Sequence, residues 1–531
     1  MSEVFGYGWL AKRFGIRTVA PLTASSSTGR APSRSEDDDG FVVQVLRADR
    51  ADKESVRWHL AQALKHEGVH LEFLARLFAK LDPAEIGRWN ADEPTGALAR
   101  RAGFLYEWLT GRRIEGHEAV TGNYVDALDS EKYLVASHPQ PNRRWRVMDN
   151  LPGTSRFCPT VRLTMATRLA RLGVEIECRE VGRLMADFGE GTILRAANWL
   201  SIKESKASFA IEREGDRNER IRRFAAAMIQ HCGRMEDPLT PQALAVLQRA
   251  ILADQNTVSD FGLRRSPAFV GRTIRYEPVV DYLAPHFDQV PGMLEGLGEF
   301  ARRTAGGSSI ARAALLSFGF VYIHPLSDGN GRISRFLIND TLRRDGVVPA
   351  PLILPVSSVI QASMKRYDNV LESVSSPLMQ EASDVSFAGE SSTCEDGVRT
   401  NLVFNRWDDL APSWRFMDMT GHVRYISDVL RLTMSQEMRH EAAYLRDFDR
   451  ARQAVREIID GPDQDIDRIV TAIHETGRAS GKLRKEFPRV FSSAHGTEIE
   501  RAVLDPGYSP AQTRSFRGGI AAQSRRGVLL S

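Results

Sequence analysis

One junction constrains this chain more than any other. A nearly apolar stretch from Ala311 to Ile323, broken by Arg312, runs into His324-Pro325 and then into a glycine-flanked turn, Gly329-Asn330-Gly331. A stretch that is apolar on nearly every face predicts a central buried helix, and the proline marks its end. It is too short for the roughly 18 to 20 residues a bilayer crossing needs, so no transmembrane helix is expected. Immediately after the turn a new helical pattern begins with Ile333, Phe336 and Leu337.

Such a turn suits an anion. Gly329 and Gly331 let the backbone approach closely, and the first free N–H groups of the new helix point outward with the positive dipole end behind them. Arg332 and Arg335, spaced i, i+3, can lean over one face and clamp phosphate oxygens. Asp328 suits Mg²⁺ held through one carboxylate with phosphate and water completing the shell; its bland alternative is to cap the following turn. His324 is placed to accept a proton from a hydroxyl near neutral pH. A lone histidine beside an apolar helix is ordinarily a satisfied core residue, but the twelve residues His324 to Arg335 argue for function.

The rest of the sequence sets the frame. The 531 residues suggest about three or four compact units. Lys plus Arg number 71 and Asp plus Glu 68, a net +3 that is too balanced for a chain devoted to coating nucleic acid. Cys158, Cys178, Cys232 and Cys394 form no Cys-x-x-Cys pair, which argues against a zinc knuckle or a disulfide framework. Glu3, Lys12 and Arg13 interrupt any secretory apolar core, and a cytoplasmic location is expected. His66 and His70 have the i, i+4 spacing of metal ligands without an evident third, so a helix face is the reading. Arg264-Arg265 and Arg343-Arg344 read as solvated surface charges.

The expected organisation is an N-terminal segment 1–22, a Ser/Thr-rich then acidic disordered linker 23–40, and an N-terminal helical region 41–204 with an irregular Pro-rich connection at 138–152. A catalytic domain 205–380 with a short hairpin near Phe269 to Ile274, a polar linker 381–400, a C-terminal helical region 401–505 and a basic tail 506–531 complete it. The fold class is mainly α.

The segment His324 to Arg335 resembles the Fic (Fido) motif, His-Pro-Phe-x-Asp/Glu-Gly-Asn-Gly-Arg-x-x-Arg, with Leu326 in place of Phe as the one departure. The resemblance covers roughly residues 205–376 and implies a helical Fic core with a β-hairpin flap, flanked by further helical regions. Most known members are protein adenylyltransferases. It implies that His324 deprotonates a target hydroxyl, that Asp328 binds Mg²⁺, and that Asn330 with the Gly329 and Gly331 amides holds the α-phosphate of ATP. Arg332 and Arg335 would hold the other phosphates. A Ser, Thr or Tyr hydroxyl of a protein substrate would then attack the α-phosphorus, leaving AMP on the target; self-modification and a homodimer stay open. Phe269, Val270, Gly271, Arg272 and Thr273, within the stretch 265–276, resemble the flap that docks the target as an added strand. Tyr367, in the stretch after the motif, resembles the part that closes over adenine.

Ser208-Phe209-Ala210-Ile211-Glu212 is similar to the family's inhibitory helix, Ser/Thr-x-x-x-Glu followed by Gly or Asn. It implies that Glu212 pairs with Arg335 and blocks the γ-phosphate position. Arg213 departs from the pattern, implying a weaker restraint or a different contact, and Glu214-Gly215 offers a competing register without the Ser/Thr. In some relatives such a glutamate also serves removal of AMP, an alternative within the same fold. From another class, Ile469 to Glu486 has the spacing of a helix, a Gly turn and a basic second helix, the pattern of a nucleic-acid-binding regulator.

Overall fold

The structure is a computed structural model that describes residues 3–47, 54–115, 122–186, 190–214, 218–252, 261–275, 277–491 and 495–504. The basic tail, Tyr276 and the side chain of Cys178 lie outside the described residues. Two units are distinguished: one built on residues 1–179 and 197–434, the other on 180–196 and the stretch from Ser435 onward.

The first unit opens with α1 (Tyr7–Phe14), closed by Gly15 in the left-handed conformation. A small sheet follows, with β1 (Ala24–Gly29), β2 (Ser33–Glu36) and β3 (Val42–Arg47) in the order β1-β3-β2. β1 runs parallel to β3 and β2 antiparallel to it. This corrects the disordered linker read at 23–40: Ser26, Thr28 and Val42 are buried, and the backbone groups of the Ser/Thr run are spent in a ladder.

Helices α2 (Val56–Gln62), α3 (Leu71–Lys80), α4 (Pro83–Asp92) and α5 (Ala97–Thr110) come next, with the break at Gly68 as expected. Each of the first three starts on a side-chain cap: Ser55 accepts from Trp58 N–H, His70 from Phe73 N–H, and Asp82 from Ala84 N–H. His70 is thus a helix cap rather than part of one helix face with His66, and its Nε2 lies 3.2 Å from the Ala20 carbonyl oxygen. Leu60, Phe73, Leu74, Leu77, Leu105 and Trp145 form the core of this region. Glu72 lies in its midst, fully buried, accepting from Val19 N and Ala20 N and from Ser413 Oγ, each at 2.9 Å. Strands β4 (Val125–Asp126), β5 (Gln140–Asn142) and β6 (Val147–Asp149) give the Pro-rich connection more order than its composition suggests.

Next come α6 (Met165–Ala186) and α7 (Glu190–Ile211), of which residues 180–196 belong to the second unit, then α8 (Asn218–His231) and α9 (Pro241–Leu252). The expected hairpin is β7 (Phe269–Ile274) antiparallel to β8 (Glu277–Leu283), with a bulge between Val270 and Gly271. Then follow α10 (Val290–Arg303), α11 (Ser309–Ile323), α12 (Asn330–Arg344), α13 (Val356–Ala362) and α14 (Met364–Glu381). α11 is buried along almost its whole length, as its composition predicts.

The linker read at 381–400 is instead mostly a hairpin, β9 (Ser386–Thr393) with β10 (Arg399–Val403). Its tip residue Asp396 accepts from Arg265 N and Ser266 Oγ, both at 2.8 Å, and Phe387 meets Phe269 of β7 edge-on. These contacts far along the chain give a polar stretch a fixed place. α15 (Trp407–Arg415) and α16 (Thr420–Leu432) complete the unit.

The second unit contains α17 (Arg439–Ile458), α18 (Asp463–Thr476), α19 (Gly481–Glu486), α20 (Pro488–Phe491) and α21 (His495–Val503). They share a core of their own that includes Val455, Ile469, Val470, Ile473 and Ile499. The helix-turn-helix spacing is present, but α19 spans only 6 residues. Arg484 pairs with Glu500 at 2.7 Å and Arg468 of α18 with Glu486 at 3.3 Å, which offsets part of the positive charge around α19.

Among the described residues no helix is long and apolar enough to cross a membrane. Glu72 offers a test of the N-terminal packing. Replacing it by Ala strands two buried N–H donors and Arg76, and is expected to lower stability by about 3 kcal/mol. The check is the first thermal transition of the purified chain, which should move down by several degrees.

Candidate active site

The site forms where α11 stops. His324 ends that helix in the left-handed conformation (φ 49, ψ 56), which turns the chain sharply before Pro325. Its Nδ1 lies 3.2 Å from the Val321 carbonyl oxygen. If that contact is Nδ1–H donating, the lone pair is left on Nε2. The His324 carbonyl accepts from Arg264 Nε at 2.7 Å. Arg264 is buried and spends its other nitrogens on the Ser266 and Pro285 carbonyls, at 2.7 and 2.6 Å. It is a structural clasp on the histidine's backbone, which corrects its reading as a surface charge. Arg343 is likewise buried, bonded to the Cys232 and Leu352 carbonyls. Both were missed because the groups that capture them are main-chain oxygens, invisible in side-chain composition.

Burial and the nearby Arg264 charge push the His324 imidazole down to about 4, with Glu212 pulling the other way. The ring is therefore neutral at physiological pH, the form a proton acceptor needs.

The loop after His324 is stapled by Asn330. Its Oδ1 accepts from Leu326 N at 3.0 Å and its Nδ2 donates to Leu326 O at 2.8 Å. Its amide is thus occupied in shaping the loop, and what it offers an anion is its backbone N–H. Leu326 is fully buried, as the Phe of the motif pattern would be. Gly329 precedes α12 at φ 93, a conformation that favours glycine. Gln248 steadies the loop from α9, donating to the Asp328 carbonyl at 3.0 Å. A cavity of about 850 Å³, lined by Ser327 with Phe261, Arg265, Phe287, Asp288 and Glu395, opens beside it.

Arg332 and Arg335 both face this loop, but neither is exposed: each side chain is 2% accessible. Arg335 donates through Nε to Ser208 Oγ at 2.8 Å and through Nη2 to Glu212 Oε1 at 2.7 Å. Burial alone would raise the Glu212 pKa, yet the Arg335 charge and hydrogen bond outweigh it and hold the carboxyl below its usual range. A Cβ added at Gly331 would stand 2.1 Å from Glu212 Oε1, so the carboxylate lies directly over the start of α12. An anion already sits where the dipole and free N–H groups favour one.

The end of α7 explains how Glu212 gets there. Glu214 N donates to Phe209 O at 3.2 Å and Arg213 N to Ala210 O at 3.1 Å, the paired bonds of a Schellman motif. Arg213 is then the residue that must be left-handed, and its φ is 57. The Gly or Asn of the resembled pattern falls at this position, where those residues are least strained. Arg213 adopts the same turn at some cost. α7 is tethered further back by Glu204, which accepts from Ser357 N at 2.7 Å and Ser357 Oγ at 2.6 Å on α13. Burial pushes that carboxyl up to about 7, against the pull of those bonds.

Asp328 is half-exposed at the loop mouth and accepts from Arg332 Nη2 at 3.0 Å. Among the described residues no group of three or more His, Cys, Asp or Glu is poised to hold a metal. The residues fit a magnesium ion held by one carboxylate with phosphate oxygens and water supplying the rest.

Tyr367 is placed differently from the adenine-stacking expectation. Its ring is buried, with Phe318 and Tyr425 each 6.1 Å away between centroids, and its hydroxyl lies within reach of Arg335. It packs the back of the arginine rather than offering an open face. The flap residues Phe269 and Val270 are exposed, while Gly271 lets β7 pass close to the Val279 carbonyl.

Residues 238–342 match the Fic/DOC family. The chain carries a Fic domain. It is 26% identical over 231 residues to "Protein adenylyltransferase fic-1" of Caenorhabditis elegans, covering 37% of this chain and 44% of that protein. It is 29% identical over 162 residues to "Protein adenylyltransferase Fic" of Culex quinquefasciatus, covering 30% and 31%. The chain thus spans less than half the length of these curated relatives. A solved Fic family protein from Desulfovibrio desulfuricans G20 aligns with a TM-score of 0.37 and 19% identity, over 54% of this chain and 79% of that one.

Two outcomes test the local geometry. The His324 imidazole should show no titration by NMR between about pH 5.5 and 8, since its depressed pKa keeps it neutral throughout; a midpoint near 6.5 would contradict the half-buried, Arg264-flanked setting. At the Schellman turn that ends α7, Arg213→Val should be less stable than Arg213→Gly by about 1 kcal/mol, because a β-branched residue tolerates positive φ poorly. Equal thermal midpoints for the two variants would remove that turn.

Proposed function

We propose that this Fic domain transfers AMP from ATP to a hydroxyl of a protein substrate and is restrained by Glu212. The observation that carries the reading is a histidine, clasped at its backbone by Arg264, held beside a glycine-lined helix start that is backed by two buried arginines. The helix N–H groups and the guanidinium groups supply positive charge where a polyphosphate would lie, and His324 supplies the base. The Gly329, Asn330 and Gly331 amides would hold the α-phosphate, with Arg332 and Arg335 on the phosphates beyond it.

In the reaction, a Ser, Thr or Tyr oxygen attacks the α-phosphorus and its proton passes to Nε2 of His324. The bond between the α-phosphorus and the bridging oxygen breaks, and pyrophosphate leaves with those electrons. Magnesium, held by Asp328, would offset charge on the phosphate oxygens. The flap edge at Phe269 to Thr273 would receive the target as an added strand, with the cavity beside Ser327 taking a neighbouring side chain. Glu212 opposes all of this by sitting on Arg335 and on the helix start, where the terminal phosphate would go. The names of the worm and mosquito relatives support the reaction class.

Incubation of the full chain with ATP labelled at the α-phosphate, Mg²⁺ and a cell lysate provides the test. Labelling of protein is expected to rise at least tenfold in Glu212→Gly and to fall by about 10² to 10⁴ when His324→Ala is added. No labelled protein in any Glu212→Gly reaction would overturn the assignment.

A further inference from the structure

The turn that ends α7 presents two carboxylates to the site. While Glu212 holds Arg335, Glu214 reaches the other arginine, with Oε1 2.6 Å from Arg332 Nη1. Glu214 is also engaged from behind, 2.7 Å from Arg220 Nη2. Arg220 is anchored through Nε to the Ile251 carbonyl at 2.9 Å. The Phe209 ring lies 5.0 Å from the Arg332 guanidinium and 5.2 Å from that of Arg220. The same αL turn at Arg213 aims both glutamates, so neither contact is an accident of a free side chain.

Resting on the reading of this site as a nucleotide site, we propose that Glu214 is a second inhibitory carboxylate. It closes the phosphate subsite at Arg332 as Glu212 closes the one at Arg335, and a nucleotide must displace both. A buried guanidinium demands an anionic partner, and without nucleotide the chain's own carboxylates are the partners within reach. Among the described residues the buried Arg332 Nε and Arg335 Nη1 have no hydrogen-bond partner, so neither guanidinium is saturated by the chain's own groups. Arg220 makes the exchange feasible, because Glu214 retains that partner when phosphate takes Arg332. The arrangement also answers what Arg213 does in place of Gly or Asn: the turn survives, and the residue after it is recruited.

The test is calorimetric titration of Mg·ATP into the full chain, as wild type, Glu212→Gln, Glu214→Gln and the double variant, with thermal melts confirming the fold. Glu214→Gln alone is expected to tighten Mg·ATP binding by about tenfold, the scale of one charge-assisted hydrogen bond, with the double variant tighter than either single one. In labelling assays the gain should appear in KM for ATP while kcat changes little. Glu214→Asp keeps the charge but withdraws it by one methylene, and should give an intermediate affinity. If Glu212→Gln tightens binding while Glu214→Gln and Glu214→Asp leave it equal to wild type or weaker, Glu214 merely props Arg332 and the second latch is refuted. If no variant binds Mg·ATP, the nucleotide reading itself fails, and the latch with it.

Discussion

Two guanidinium groups lie buried at the start of one helix, and the rest of the site answers that constraint. Arg332 and Arg335 cannot stay charged out of water without anions beside them, and the dipole and free N–H groups of α12 point at the same place. The pocket therefore never goes without negative charge. In the structure the charge comes from Glu212 on Arg335 and from Glu214 and Asp328 on Arg332, and under the proposed function a polyphosphate takes the place of the two glutamates. Under that reading restraint and catalysis draw on the same positive groups, so substituting either arginine would weaken both.

The surrounding fold serves to hold that exchange in register. Asn330 closes the loop on Leu326, Gln248 holds Asp328 from α9, and Arg264 grips the carbonyl of the histidine. Tyr367, packed with Phe318 and Tyr425, backs Arg335. Glu204 fixes α7 to α13. None of these side chains is expected to touch a reacting atom, yet each limits how far a reacting group can stray.

How much of this was legible in sequence depended on the range of the interaction. The His324 to Arg335 segment is local: a buried helix, a proline, a glycine turn and a second helix declare themselves in consecutive residues. Ser208 and Glu212 were legible only through their resemblance to the family's inhibitory helix, and one helical turn brings both of them onto Arg335. The strands at 24–29 and 386–393 were not, since Ser/Thr-rich and polar runs look unable to order themselves until β3 pairs with the first, and β10, its turn held at Asp396 by Arg265, pairs with the second. Arg264 and Arg343 were misread for the same reason, their partners being carbonyl oxygens that composition never reveals. The contact of Glu214 with Arg332 depended on a left-handed arginine at 213, which propensity argues against.

The central claim is that carboxylates of the chain and phosphates of a nucleotide compete for the same two arginines. A crystal structure of the full chain with magnesium and a non-hydrolysable ATP analogue tests it most directly. The account predicts phosphate oxygens on Arg332 and Arg335 with Glu212 and Glu214 withdrawn from both. A bound analogue with both ion pairs intact, or one whose phosphates rest away from the start of α12, would contradict it.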